Sequence, residues 1–346
     1  MDSTGTGRAF IGSFTTAGGR GIITASVDPK TGALTELGAT DAVANPSFLA
    51  LSQDGSVLCT VSETEDGALA AFDVNGTLPR PAGAPVPVGG ESPTHLALAG
   101  GHVLSANYGS GSVSVLPLRG GELGERVSVL RHQGSGPRTE RQEGPHAHQV
   151  LPDPSGRWVV SVDLGTDSVR ICTLDADTGA LALHGECALK PGSGPRHLVF
   201  HPDGTHAYVL NELEPTLTVC RWDAGAGTLE PVGETAVVPD GEYTETYASE
   251  VVVSHDGRFL WAANRGHDSI SVLALDESRE KPALVTTVGC GGHWPRDLAL
   301  DPSGRRLYAA NERSGDVTWF DIDPGTGIPS RAGSIEAPAA SCVIFG

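Results

Sequence analysis

The feature that most constrains this chain is an internal repeat. "GPRHLVFHPDGTHAYVLNELEPTLTVCRWD" from Gly194, "HWPRDLALDPSGRRLYAANERSGDVTWFDID" from His293 and "PHAHQVLPDPSGRWVVSVDLGTDSVRICTLD" from Pro145 follow one plan. Each reads as an apolar strand, a tight Asp-x-x-Gly turn, a second strand ending in Asn or Asp, a short loop and a third strand ending in Asp. Segments from Asn45, Ser92 and Tyr247 repeat it, the second with a shortened turn. The first strands begin near Ser47, Thr94, His148, Arg196, Ser249 and Arg296, at spacings of 47, 54, 48, 53 and 47 residues. A four-stranded antiparallel unit at this period predicts a β-propeller. The C-terminal "APAASCVIF" supplies one more strand, and "RAFIGSF", "GIITASVD" and "LTELGAT" near the N-terminus supply three. Together they complete a seventh blade closed by both chain ends, which removes exposed sheet edges. The expectation is all-β: one seven-bladed domain over residues 1–346. With 46 glycines and 24 prolines among 346 residues, the chain has the turn content that so many short strands need.

Register then indicates where side chains gather. Eight residues before the turn glycines Gly156, Gly204, Gly257 and Gly304 stand His148, Arg196, Ser249 and Arg296; eight after stand Leu164, Glu212, Arg265 and Glu312. In a hairpin centred on the turn both sets reach its open end, so they ring the mouth of the central channel. Glu63 and Tyr108 join them from earlier repeats. Asn107, Asp163, Asn211, Asn264 and Asn311 recur at the end of the second strand. Recurrence in successive blades favours a capping role over a ring of oxygens around a hard cation.

The formal charge of −19 makes nucleic acid and anionic membranes poor partners. No apolar run is long enough to span a bilayer, and "MDSTGTGRAFIGSF" shows no signal-peptide pattern. Six cysteines at 59, 172, 187, 220, 290 and 342 form no CxxC and sit in apolar stretches, as buried thiols in a cytoplasmic protein would. Cys172 and Cys220 align with Leu273 and Phe320 of other repeats, which makes them core positions. A monomer is expected.

Against this acidic background the ring of Arg, His and Glu stands out. Arg196 with Glu212, and Arg296 with Glu312, fall opposite one another as cross-strand ion pairs, worth roughly 0.2–1 kcal/mol each without any function. Arg265 faces Ser249, so its own hairpin offers no acid, and it is read as available to an anionic ligand. His146 and His148 are two apart, as strand residues sharing a face are. A zinc site would need a further ligand, whereas a single imidazole can serve as a general base near neutral pH. The insertion from Arg131 to His148 is the longest before any first strand and enters on the mouth face, as a functional loop would. Its Arg141 and Gln142 lie nearest the histidines.

The segments "RQEGPHAHQVLPDPSGRWVVSVDLGTD", "GPRHLVFHPDGTHAYVLNE" and "NRGHDSISVL" resemble the seven-bladed lactonase family. That family includes propeller-type bacterial 6-phosphogluconolactonases and fungal carboxy-cis,cis-muconate cyclases. The resemblance spans nearly the whole chain, and its PHxH, GPRH and NE motifs occur in the family's order. It implies a catalytic set of His148, Arg196 and Glu212. It implies substrate binding by Arg265, with His146, Arg141, Gln142 and Arg296 as neighbours. The fifth repeat departs, reading "YASEVVVSHDG" where others begin Pro-Arg or Pro-His, which bears on substrate identity. The expected reaction is metal-independent hydrolysis of a sugar-derived lactone, 6-phosphoglucono-δ-lactone first, by a chain that takes a small anionic lactone or carboxylate and needs no cofactor. Lactonisation or isomerisation of an unsaturated acid, as in the cyclase branch, and a non-catalytic protein-binding propeller are the alternatives.

Overall fold

In the computed structural model, which describes residues 7–239, 241 and 245–346, the chain forms seven antiparallel blades. The first strands, Leu49–Leu51, Pro93–Ala99, Ala147–Pro152, Pro195–Phe200, Tyr247–Val253, Pro295–Leu300 and Ala340–Phe345, pack on one another around a central axis as blades 1 to 7. Blade 7 closes as expected: Ala340–Phe345 pairs with Gly7–Ser13, which pairs with Ile22–Val27 and then Leu34–Thr40. Among the described residues the one helix is a single turn, Thr15–Ala17.

The strands follow from their environment. Second strands such as His206–Asn211 and Arg306–Asn311 are buried at every position, because both faces pack between neighbouring blades. Their sequences are correspondingly near-continuous apolar runs. Fourth strands lie at the rim and alternate exposed with half-buried residues, as Thr228–Ala236 does. Blades 1 and 2 have broken outer edges, Arg80–Pro81 with Val86–Pro87 and Glu122–Leu123 with Ser128–Arg131. Pro81 and Pro87 suit such an edge, where a missing N–H costs no interior hydrogen bond. Each inter-blade core is its own cluster; between blades 3 and 4 it holds Trp158, Val160, Cys187, Val209, Cys220 and Trp222. All six cysteines are buried and unpaired.

The turn glycines sit in the left-handed region, with φ of 69° at Gly156 and 66° at Gly304, and close i to i+3 hydrogen bonds of 2.9 and 2.8 Å. The recurrent asparagines are structural. Asn211 Nδ2 donates to the hydroxyls of Thr216 and Thr218 at 2.9 Å each, and Asn264 makes the same pair of bonds to Ser269 and Ser271. They tie the second strand to the third. Asp163 instead accepts from the backbone N–H of His146 and Thr166.

One departure from regular hairpins positions the site. In blades 3, 4 and 6 the ladder slips between Ala147 and Gln149, between Pro195 and His197, and between Pro295 and Asp297. His148, Arg196 and Arg296 are therefore unpaired bulge residues. Thr94 takes the same place in blade 2 and Ser341 in blade 7; in blade 5 the bulge spans Ser249 and Glu250. A bulge re-aims the side chain of its extra residue, here toward the axis. The expected face-to-face pairing of Arg196 with Glu212 is thus corrected. The ladder ends at Pro195 opposite Asn211, and the two charges meet beyond it.

Candidate active site

The mouth of the channel is built on Glu212. Its Oε1 lies 2.6 Å from Arg141 Nη2, and its Oε2 lies 2.7 Å from Arg265 Nη2 and 3.2 Å from Arg196 Nε. Arg196 Nε makes no aligned hydrogen bond at that distance, so this contact is ionic, while Nη1 donates to the carbonyl of Ser249. Burial alone would raise the Glu212 carboxyl. Arg265, Arg196 and Arg141 more than offset it and hold the group down to about 2. Arg196 is lowered too, to about 9, by burial and by Arg265, so that here it is the neutral form that gains.

This overturns one expectation. Arg265 has no acid in its own hairpin, but it is not free: the neighbouring blade supplies Glu212. It also donates to the carbonyls of Tyr247 and Ala248, and lies 6.0 and 5.7 Å from the ring centres of Tyr247 and Trp294. Arg296 pairs with Glu312 at 3.3 Å and approaches Glu63 at 3.8 Å. Four guanidiniums, those of Arg141, Arg196, Arg265 and Arg296, thus meet three carboxylates, Glu63, Glu212 and Glu312. The mouth keeps a cationic excess inside an acidic protein.

His148 is buried beside this cluster, its ring 5.7 Å from Tyr108 and 5.1 Å from His197. Burial lowers its pKa well below the ordinary value, and Arg196, His197, Arg296 and Arg265 lower it further. It is a neutral imidazole at physiological pH. His146 stacks on Tyr108 with centroids 4.4 Å apart and contacts the Tyr108 carbonyl through Nδ1 at 2.9 Å. That fixes the tyrosine against the mouth.

The loop residues divide. Arg141 reaches the mouth, with 38% of its side chain exposed, and lies 3.5 Å from the Tyr108 hydroxyl. Gln142 does not line the mouth. It is fully buried, donates to Leu164 O and Asp167 Oδ1 and accepts from Arg138 N–H, so its amide is spent on folding the loop back. Its expected contact with substrate is replaced by this clamp.

A deeper layer escaped the register count. In blades 2, 3, 4 and 6 the residue after the bulge, His95, Gln149, His197 and Asp297, lies one step further in, and Glu250, the second residue of the blade 5 bulge, joins them. His197 Nδ1 contacts Glu250 Oε2 at 2.6 Å, and the Glu250 and Asp297 carboxyl groups line one small cavity, where burial and Glu250 raise the pKa of Asp297. The available signal was the run of polar residues, in "THL", "HQV", "RHL", "SEV" and "RDL", at a place where a buried strand should already be apolar. Tyr247 and Trp294, which wall the mouth beside Arg265, carried no comparable signal. Among the described residues, no group of three or more His, Cys, Asp or Glu is arranged to hold a metal ion, these histidines included.

Residues 8–345 match the family described as "Lactonase, 7-bladed beta-propeller". The chain belongs to that family and is a lactonase. It is 33% identical over 97% of both chains to a protein of Bacillus subtilis named 6-phosphogluconolactonase. Two solved structures superpose with TM-scores of 0.92. One, from Lactobacillus plantarum, is 30% identical, with 99% of each chain covered. The other is a periplasmic gluconolactonase of Pseudomonas aeruginosa, 28% identical, with 98% of each covered.

Proposed function

We propose that this lactonase hydrolyses a phosphorylated aldonolactone, with 6-phosphoglucono-δ-lactone as the first candidate. The observation that carries the reading is the juxtaposition of neutral His148 with guanidiniums clustered on Glu212. His148 takes a proton from water as the water attacks the lactone carbonyl. Arg196, buried and without competing solvent, stabilises the oxyanion, where one preorganised donor is worth roughly a hundredfold to a thousandfold in rate. The ring C–O bond then breaks, and the proton returns from His148 to the departing alkoxide. A carboxylate held near 2 is a poor proton acceptor. Glu212 therefore serves here to hold three like charges together rather than to move the proton. Arg141 and Arg265 lie where a distal anion on the substrate would be met, and Arg296 lines the opposite side.

The Bacillus subtilis relative's name supports the phosphorylated substrate. The Pseudomonas aeruginosa neighbour's name favours an unphosphorylated lactone, and so does the extent to which carboxylates already neutralise the mouth. Hydrolysis of both lactones, measured against the spontaneous background, decides between them. A rate for wild type no greater than for a His148→Ala, Arg196→Ala double variant rejects hydrolysis at this site altogether. We place the protein in the cytoplasm as a monomer. The six unpaired cysteines support that compartment, and fractionation with sedimentation tests both statements.

A further inference from the structure

The deeper layer contains ionisable groups to which the proposed reaction gives no role. His197 Nδ1 and Glu250 Oε2 are 2.6 Å apart, while His197 Nε2 is buried with no partner. On the adjacent ring, His148 Nδ1 is likewise buried with no partner. The two ring centres are 5.1 Å apart at an interplanar angle of 67°. Two orphaned imidazole nitrogens side by side are costly unless one donates to the other, directly or through a water. A cavity of about 10 Å³ lined by Arg196, His197, Glu250 and Asp297, but not by His148, is of the size one water needs and serves the carboxyl end of the set. On the far side, Glu250 Oε1 accepts from Val251 N–H and Asp297 Oδ2 accepts from Val343 N–H. One proton between the two carboxyl groups completes the set.

We propose that His197, Glu250 and Asp297 are positioning residues forming the inner arm of a proton relay whose outer end is His148. The inference rests on the reading of His148 as the base. One arrangement of hydrogens satisfies every member. Asp297 keeps its proton and donates to the Glu250 carboxylate, which accepts Nδ1–H of His197. The two rings, 5.1 Å apart between centres, are not hydrogen-bonded to each other as they stand; a rotation that closes this gap lets His197 Nε2 accept Nδ1–H of His148, which leaves His148 Nε2 bare toward the mouth. That is the tautomer a base needs.

The relay also addresses a charge problem. An imidazolium at His148 would face Arg196, Arg265 and Arg296, and His197 beyond it faces the same arginines and His95. If His148 Nε2 takes a proton from water, the Nδ1 proton can pass to His197 Nε2 and the His197 Nδ1 proton to Glu250. The O–H bond of water breaks and an N–H bond forms at the mouth. Both rings stay neutral with exchanged tautomers, and the added positive charge is cancelled on a buried carboxylate. The transfers reverse when the alkoxide leaves, so the enzyme returns to its starting state. The environment agrees: burial and the mutual repulsion of Glu250 and Asp297 raise Asp297 well above an ordinary carboxylic acid, and burial with Arg196 keeps His197 neutral.

The first test needs no variant and no substrate. Nitrogen-15 NMR of the histidines in the wild-type protein should show His197 and His148 each protonated at Nδ1 and bare at Nε2. His148 protonated at Nε2, or His197 bare at Nδ1, overturns the relay even if the protein proves not to hydrolyse lactones. The second test is kinetic. Glu250→Gln should lower kcat at least ~10-fold, as losing the group that orients a catalytic imidazole does, with KM within about twofold and partial recovery in Glu250→Asp. Asp297→Asn provides a second variant if Glu250→Gln does not fold. Unchanged kcat in Glu250→Gln, in a protein that His148→Ala inactivates, overturns the relay. Unchanged kcat in His148→Ala overturns the reading of the base instead, and the NMR pattern still decides the relay.

Discussion

Replacing Glu212 by Gln tests whether three guanidiniums really depend on one carboxylate. In the folded protein the Glu212 carboxyl is held at about 2, against 4.5 for an ordinary glutamate. That lowering corresponds to about 3 kcal/mol in favour of the charged form. Breaking a buried ion pair by removing one partner costs roughly 3–5 kcal/mol, which agrees. The sign follows from linkage: a depressed folded-state pKa gives stability that is fully present above the unfolded value and lost as pH falls through the folded one. Relative to Glu212→Gln, wild type should therefore be more stable by about 3 kcal/mol at pH 7. The gap should narrow to about 1 kcal/mol near pH 3 and close below pH ~2. Urea titrations of both proteins at a series of pH values measure it. A gap under about 1 kcal/mol at pH 7, or one that does not shrink in acid, refutes the view that Glu212 organises the arginines electrostatically.

Three further outcomes are expected. His148→Ala should reduce kcat by roughly a hundredfold to ten-thousandfold, and because the His148 pKa is depressed, the acid limb of the wild-type kcat/KM profile should lie below pH 6.5; a limb above pH 7 contradicts the assignment. Arg141→Ala should raise KM for a phosphorylated lactone far more than for its unphosphorylated analogue, and 0.5 M salt should shrink the difference, since 38% of this side chain is in solvent; equal effects on the two substrates would exclude Arg141 from phosphate recognition. Asn211→Ala should cost about 2 kcal/mol by removing two buried hydrogen bonds, with no change in denaturation midpoint on adding calcium or chelator; a calcium-dependent midpoint would restore the cation reading of these asparagines.

The fold was legible because a propeller is written seven times over. The glycine-closed turns, an asparagine or aspartate at the end of most second strands and the spacing of first strands recur, so an error in one copy is corrected by the others. The split of blade 7 between the chain ends followed from counting strands. What single-chain periodicity could not supply was contact between blades. Arg265 looked unpaired because counting set it opposite Ser249; in the ladder it faces Tyr247, and its acid, Glu212, belongs to blade 4. Gln142 looked like a mouth residue from its place in the loop. Its anchor, Asp167, stands 25 residues on in the loop before the third strand of blade 3 and also receives Gly192 N–H and Gly194 N–H.

The bulges explain why a count that assumed regular hairpins still found residues that gather at the mouth. Counting eight from the turn glycine lands on the bulge itself, because the extra residue lies just where pairing ends. A regular strand would turn successive side chains to opposite faces. One would enter the channel and the next would pack between blades. The bulge lets two consecutive residues, His148 with Gln149, Arg196 with His197, and Arg296 with Asp297, serve the axis at two depths. The outer one is aimed at the mouth and the inner one reaches across to the next blade, as Gln149 does to Leu198 N–H and Asp297 to Val343 N–H. In blades 3 and 6 such a pair gives the charged mouth residue a buried polar neighbour fixed by backbone from the next blade. The same device that joins the blades around the axis thereby holds the guanidiniums and the imidazole in place before any substrate arrives.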